Sequence, residues 1–226
     1  MVKISVVTVC YNAKNDIEDT IKSVLENKNR SYIEYIIVDG GSNDGTLDII
    51  YKYQNDIDVI ISEPDRGVYD AMNKGIKASS GDWILNMNAG DVLYDLPIEK
   101  LEKALSLPLC ALVGAVKTEN GICYPKLDMT FKIHNTLPHQ ALFYRRANNL
   151  FYNITYKIVG DYDMNARLYK SDQNIILVND IIAFHSLKGL SSNKASAKES
   201  YAVIKDQFSL LWVALSFIYR KLQRFL

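Results

Sequence analysis

Residues 3–9 are almost continuously apolar and β-branched, a run that predicts a strand covered on both faces, as strands of parallel sheets are. Ile17, Ile21, Val24 and Leu25 then recur at helical spacing behind a candidate cap at Asn15 or Asp16. Residues 33–38 repeat the strand signal, residues 39–46 read as a loop, and Leu47, Ile50 and Tyr51 mark a second helix. Residues 58–62 read as a third strand, 68–78 as a helix, and 83–87 as a fourth strand ending at Asn88, Ala89, Gly90 and Asp91. Such alternation predicts an α/β fold built on a doubly wound, mostly parallel sheet with helices on both faces. Right-handed crossovers place the loops after each strand on one edge, so residues 8–12, 39–46 and 88–91 are expected to converge there on a ligand.

The second half is less regular. Residues 96–105 read as a helix, 110–117, 121–124 and 140–144 as strands, and 161–169 as a short helix. Residues 175–184 resemble paired strands turning at Asn179 and Asp180, and residues 194–226 one long helix. The chain has 226 residues and is 48% hydrophobic, enough to bury one generous core and too little for two full domains. The expected organisation is a domain over residues 1–190, in halves 1–92 and 93–190, followed by a helical tail over 191–226.

Lys plus Arg equal Asp plus Glu at 26 each, so no net field favours nucleic acid. Cys10, Cys110 and Cys123 are an odd set without metal spacing, which points to a reduced compartment without structural zinc. The first ten residues read as a buried strand, with no small-residue cleavage site to suggest a signal peptide. In the tail, residues 208–219 are strongly apolar, contain Trp212, and are followed by Arg220, Lys221 and Arg224. That run is shorter than the roughly 20 residues needed to span a bilayer. It suits lying in the membrane interface, or packing against the domain or a homodimer partner, and both readings stay open.

Three carboxylates stand where chemistry is expected: Asp39 and Asp91 at strand ends and Asp161 at a helix start. Each alone is an ordinary turn or cap residue. Gathered on one edge, they would repel one another unless a cation or a hydrogen-bonding ligand joined them. The loop from Gly40 to Gly45 matches neither GxGxxG nor a lysine-bearing P-loop, which argues against NAD and ATPase readings. No GxSxG elbow occurs, and His134, His139 and His185 follow neither zinc spacing nor HExxH.

The segments ISVVTVCYNAKNDIEDTIKSVLENK, IEYIIVDGGSNDGT, SEPDRGVYDAMNKGIKASSGDWILNMNAGD and VGDYDMNARL, in this order, resemble family 2 glycosyltransferases. The resemblance implies a GT-A, Rossmann-like fold, with residues 1–92 binding a nucleotide sugar and 93–190 the acceptor. It further implies that Thr8 and Tyr11 border the base and that Asp39 accepts a hydrogen bond from uracil or its equivalent. Asp65, Asp70, Asn73 and Lys74 would line the diphosphate and donor sugar, and Asn88, Ala89 and Gly90 would contact the nucleotide. Asp91 matches the family's metal-binding carboxylate, for Mg2+ or Mn2+, and Asp161 its catalytic base; His185, as a further metal ligand, and His139 are looser candidates. The expected activity is inverting transfer from a nucleotide-diphosphate sugar, taken as UDP-linked, to a saccharide on a polyprenyl diphosphate. The expected setting is O-antigen, capsule or exopolysaccharide assembly at the cytoplasmic face of a bacterial membrane.

Two positions depart from the family pattern. Asp91 is the only acid of its motif, so an ion there would be completed by substrate phosphates. Met72 stands where many relatives carry arginine, leaving positive charge for the diphosphate to Lys74, Arg66 or the metal. An unperturbed aspartate titrates near 3.9, so Asp161 is expected to take the acceptor proton in concert with bond formation, its basicity raised by burial. Glycoside hydrolysis would leave the Asp39 and Asp91 loops without a purpose. A nucleotidyltransferase would need a glycine-rich, basic phosphate loop early in the chain. A non-catalytic nucleotide-sugar sensor would keep Asp39 and dispense with Asp161.

Overall fold

The computed structural model describes residues 1–107, 110–146, 150–171, 174–186 and 194–222, apart from the side chains of Cys110 and Lys194. Strand β1 (Ile4–Cys10) is buried at every position. It has parallel neighbours on both sides, β2 (Ile33–Asp39) and β4 (Trp83–Asn88), and β3 (Val59–Ser62) continues the parallel set beyond β2. Both faces are covered: Ile4 and Val6 enter one core layer, Val7 and Val9 the other.

Helix α1 (Ile17–Leu25) buries Ile17, Ile21 and Val24 in the first layer, beside Ile50 of α2 (Thr46–Lys52). Helix α3 (Val68–Ala78) buries Tyr69, Met72 and Ile76 in the second. Spacings of three and four residues put each set on one helical stripe.

The remaining elements are β5 (Val92–Leu93), α4 (Ile98–Leu105), β6 (Cys110–Thr118), β7 (Gly121–Cys123), β8 (Leu142–Arg145), α5 (Gly160–Lys170), β9 (Asn174–Phe184), α6 (Lys194–Gln207) and α7 (Leu210–Leu222). The nine-stranded sheet runs β3-β2-β1-β4-β8-β6-β9-β5, with β7 paired to β6. β8 lies antiparallel to both β4 and β6, so the parallel half passes into a mixed half. The sheet is the sandwiched α/β architecture expected from the first half of the chain.

Two elements differ from expectation. Residues 175–184 do not fold back at Asn179 and Asp180; they form one strand running parallel to β6, with register breaks beside Gly114 and Ala115. The favoured two-residue hairpin turns need positive φ at one or both central positions. Among the described non-glycine residues only Asn12 has positive φ. Gly114 lets β9 press close: a Cβ there would stand 2.8 Å from the Asp180 carbonyl oxygen and 2.4 Å from Ile182. The expected single C-terminal helix is two within the described residues. Phe208 packs edge-on against Phe131 between α6 and α7, while Val203 and Ile204 of α6 are fully buried in the second core layer.

Candidate active site

Strand order reverses at β1, whose successors β2 and β4 lie on opposite sides, and such a switch opens a crevice beyond the carboxyl ends of the strands. Register aligns those ends: Cys10 pairs with Asp39, Asp39 with Ser62, and Val9 with Asn88. Asn12, at φ 48°, turns the chain out of β1. Its Oδ1 accepts from the Asn43 amide at 3.0 Å and its own N–H donates to Ser42 Oγ at 2.8 Å, lacing the first two loops together. Tyr11, 62% exposed, is left standing over the opening.

A cleft of about 1360 Å3 follows, large enough for a nucleotide sugar with room beside it. Tyr11, Asp65, Asn88, Ala89, Gly90, Asp91, Asp161 and His185 all line it, together with His139. The other expected residues stand behind its wall. Thr8 is fully buried, its hydroxyl 3.2 Å from that of Tyr35. Asp39 is also fully buried, and its Oδ2 accepts from the Gly41 and Ser42 amides and the Ser62 hydroxyl, shaping the loop from within.

Helix geometry explains the rest. α3 presents Val68, Tyr69, Ala71 and Met72 to the cleft, so Asp70, Asn73 and Lys74 fall on other faces. Asp70 accepts from the Arg66 amide at 3.0 Å, Asn73 exchanges two hydrogen bonds with the Tyr152 backbone, and Lys74 reaches the Pro64 carbonyl and Glu63. The arrangement does not bring these three side chains to the cleft.

The Asn88–Asp91 turn is held by α1. Thr20 Oγ1 donates to the Asp91 carbonyl at 2.7 Å and accepts from the Gly90 amide at 2.9 Å. Asp91, its side chain 3% exposed, accepts from the Asn88 amide through Oδ2 and meets His185 Nδ1 at 2.8 Å through Oδ1. Burial lowers the His185 pKa, but the hydrogen bond and charge of Asp91 outweigh it and leave it raised. Asn88 Oδ1 is buried without a partner among the described residues.

Asp161 sits in the first turn of α5 and lines the same cleft, its side chain 19% exposed. Its Oδ2 accepts from Asn135 Nδ2 at 2.8 Å and lies 3.7 Å from His139 Nδ1. Its Oδ1 lies 3.1 Å from the Tyr69 hydroxyl, whose single hydrogen is shared with the Ile158 carbonyl at 2.8 Å. Burial pushes the Asp161 carboxyl up; His139, Tyr69 and the Tyr162 amide more than cancel it, and the pKa is lowered. The expected gain in basicity from burial is therefore absent: donors to the ionised form win.

Sequence reasoning passed over Tyr69, Asn135 and Gln140. Gln140 Nε2 lies 2.8 Å from His185 Nδ1, and Asn135 is oriented by Asn165, which donates to its Oδ1 at 2.9 Å. The only local hint was the cluster of polar residues around Pro138, between 134 and 140, which has no strand or helix period. Two carboxylates lining one nucleotide-sized cleft suit group transfer, in which one binds charge and the other accepts a proton.

Residues 5–169 match the family described as Glycosyl transferase family 2. A "PGL/p-HBAD biosynthesis glycosyltransferase" of Mycobacterium bovis is 31% identical over 179 residues, covering 70% of this chain and 68% of the relative. Among solved structures, Staphylococcus aureus TarS 1-349 in complex with UDP-GlcNAc superposes with a TM-score of 0.73 at 19% identity, over 95% of this chain and 66% of that one. The mannosyltransferase PcManGT of Pyrobaculum calidifontis, in complex with GDP-Man and Mn2+, gives 0.70 at 16% identity over 96% and 69%. The two structural likenesses are of fold.

Proposed function

This chain belongs to glycosyl transferase family 2 and is a glycosyltransferase, and from that premise we propose that it transfers a sugar from a nucleotide-diphosphate donor to a saccharide acceptor with inversion, Asp161 serving as base. The observation that carries this reading is one cleft lined by both Asp91 and Asp161, which come from different elements. In the step proposed, the acceptor oxygen bonds to the anomeric carbon as the bond to the phosphate oxygen breaks. The nucleoside diphosphate leaves with that electron pair, and the acceptor proton passes to Asp161. One displacement inverts the centre.

The donor nucleotide is proposed to be UDP, stacked near Tyr11 and bordered by Asp65, with Thr8 and Asp39 holding the base loop from beneath. Asp70, Asn73 and Lys74 support the donor side through the backbone contacts they make. A divalent ion fits Asp91 and His185. Among the described residues no cluster of three or more His, Cys, Asp or Glu side chains forms a closed cage, so the protein offers one carboxylate and one imidazole, and phosphate oxygens would complete the set. Imidazole favours Mn2+ over Mg2+. Such an ion supplies charge neutralisation at the departing diphosphate.

The acceptor is proposed to be lipid-linked, in bacterial surface-glycan assembly, with α7 resting on the membrane. No described helix is long and apolar enough to cross a bilayer. Leu211, Leu215, Ile218 and Leu222 form an exposed stripe on α7, which carries Arg220 and Lys221 and no acid. That charge complements anionic lipid better than a second copy of a chain without net charge. Its other side touches the cleft wall, where Tyr219 stacks on His134 at 5.2 Å.

Thermal shift against UDP, GDP, dTDP, CMP, ATP and NAD, with and without Mn2+, tests the donor. Metal-dependent stabilisation by UDP is expected, and stabilisation by a dinucleotide or ATP alone would overturn the reading.

A further inference from the structure

His139 opens a short 3-10 turn behind Pro138 and reaches the cleft with its side chain only 15% exposed. Each ring nitrogen has a different neighbour. Asn88 Nδ2 lies 3.1 Å from Nε2, and Asp161 Oδ2 lies 3.7 Å from Nδ1. An amide nitrogen can only donate and a carboxylate oxygen only accept, so the two neighbours select one neutral tautomer. Nε2 accepts from Asn88, and the ring proton sits on Nδ1, facing Asp161.

The main chain of Asn88 is anchored, because its backbone amide donates to Asp91 Oδ2 at 2.8 Å. A path of contacts thus runs from Asp91 through the backbone and side chain of Asn88 and the ring of His139 to the carboxylate at the start of α5. We infer that His139 is a positioning residue for Asp161, its ring locked by Asn88 so that Nδ1–H holds Oδ2 and turns Oδ1 toward the acceptor. This rests on the reading of Asp161 as the base. A separation of 3.7 Å is long for a hydrogen bond, and such contacts tighten when a catalytic complex closes.

The alternative is a histidine that merely fills space between two loops. The two roles differ in what they do to the carboxylate. A donor aimed at Oδ2 favours the ionised form, and its loss raises the carboxyl pKa; a filler leaves the carboxyl alone. The other titratable groups bearing on Asp161 are Tyr69 from α3, Tyr152 and, through its field, His185. None of these changes in a His139 variant.

The test is a carboxyl-carbon NMR titration of aspartate-labelled protein, with the Asp161 signal identified by its loss in Asp161→Asn. His139→Ala should move the Asp161 midpoint upward. His139→Gln, whose amide mimics Nε2 and leaves Nδ1 unreplaced, should do the same and stands in if the alanine variant folds poorly. His139→Asn, whose amide falls where Nδ1 was, should bring the midpoint back toward wild type. Equal midpoints in wild type, His139→Ala and His139→Gln would overturn the inference, as would a His139→Asn midpoint no lower than that of His139→Ala. In transfer assays His139→Ala should lose roughly tenfold to hundredfold in kcat, the range typical of groups that orient a reacting side chain, with donor KM unchanged. Wild-type protein that transfers no sugar from any nucleotide donor would sink the functional reading while leaving the titration result standing.

Discussion

The Tyr69 hydroxyl lies 3.1 Å from Asp161 Oδ1, joining the first turn of α3 to the first turn of α5 across 92 residues of chain. The contact depends on Gly160: a Cβ there would come within 2.8 Å of the Tyr69 ring. Tyr69 also stacks on Tyr152, at 5.2 Å between ring centroids, so its direction is set from two sides. The proposed base is thus oriented by a residue from the first half of the chain as well as by its own half.

Tyr69→Phe removes the hydroxyl and keeps the packing. We expect the Asp161 carboxyl to titrate higher, the acid limb of kcat against pH to move up, and UDP binding to hold. Gly160→Ala should instead cost about 1–3 kcal/mol through overpacking. Chemical denaturation distinguishes the two, since only the second variant should lower the midpoint appreciably.

Asp161→Asn preserves size and most of the surrounding hydrogen bonds but cannot take a proton. Transfer should fall by roughly 10²–10⁴-fold, as for loss of a general base, while the thermal shift produced by UDP stays at the wild-type value. Wild-type turnover in this variant would place the base elsewhere, and loss of UDP binding would make Asp161 a donor-site residue.

Asp91→Ala and His185→Ala test the ion. Each should abolish the Mn2+-dependent part of UDP stabilisation and leave any metal-independent part. If both respond to Mn2+ as wild type does, these two side chains do not hold it. His185→Ala frees Asp91 Oδ1 from its 2.8 Å partner, so any residual Mn2+ response should be stronger in that variant than in Asp91→Ala.

The parallel half of the fold was legible because β1, β2 and β4 are nearly unbroken apolar runs, and because α1 and α3 repeat their apolar residues at helical spacing. Strand-end placement then gave Asp91 and its loop. Asp161 stood out as a carboxylate at a helix start, and its role as base came through the family resemblance. Side-chain direction was not legible to the same degree. Asp70, Asn73 and Lys74 share α3 with Tyr69 and Met72, and only the helix rotation fixed by burial of Tyr69, Met72 and Ile76 decides which of them meets the cleft. His139, Asn135 and Gln140 occupy a stretch without period, where position comes from long-range contacts to Asn88, Asp161 and His185. The bulged β9 was misread for a related reason: the close approach permitted by Gly114 lies more than sixty positions away in the chain.

Glu34 makes a stability prediction independent of function. It is nearly buried on β2, where Ser5, the Ser80 hydroxyl and amide, and Lys3 all donate to it. Burial pushes its carboxyl up, yet the hydrogen bonds and Lys3 prevail and bring it down to about 2. A lowered folded-state pKa gives stability that is present above the unfolded value, near 4.3, and lost as pH falls toward the folded one. Between pH 4.3 and 2 wild-type protein should therefore lose on the order of 2 kcal/mol through this residue. Glu34→Gln should be less stable at pH 7 and flatter across that window, as read by denaturation at a series of pH values.

The apolar stripe on α7 gives the last prediction. Leu215 and Ile218 are 40% and 53% exposed one turn apart, while Ser216 on the inner face donates to the Ile133 carbonyl at 2.7 Å and keeps the helix docked. Replacing Leu215 and Ile218 with glutamate therefore changes the outer face without loosening the inner one. Binding to phosphatidylglycerol vesicles should be lost, binding to phosphatidylcholine vesicles should be weak before and after, and added salt should weaken the wild-type interaction by screening Arg220 and Lys221. Transfer to a water-soluble acceptor should be unchanged, and transfer to an acceptor embedded in vesicles should fall. If the double variant instead shifts the protein from dimer to monomer while vesicle binding persists, the stripe is a subunit interface. The proximity of α7 to His134 on the cleft wall would then serve assembly, with the acceptor reaching Asp161 from solution.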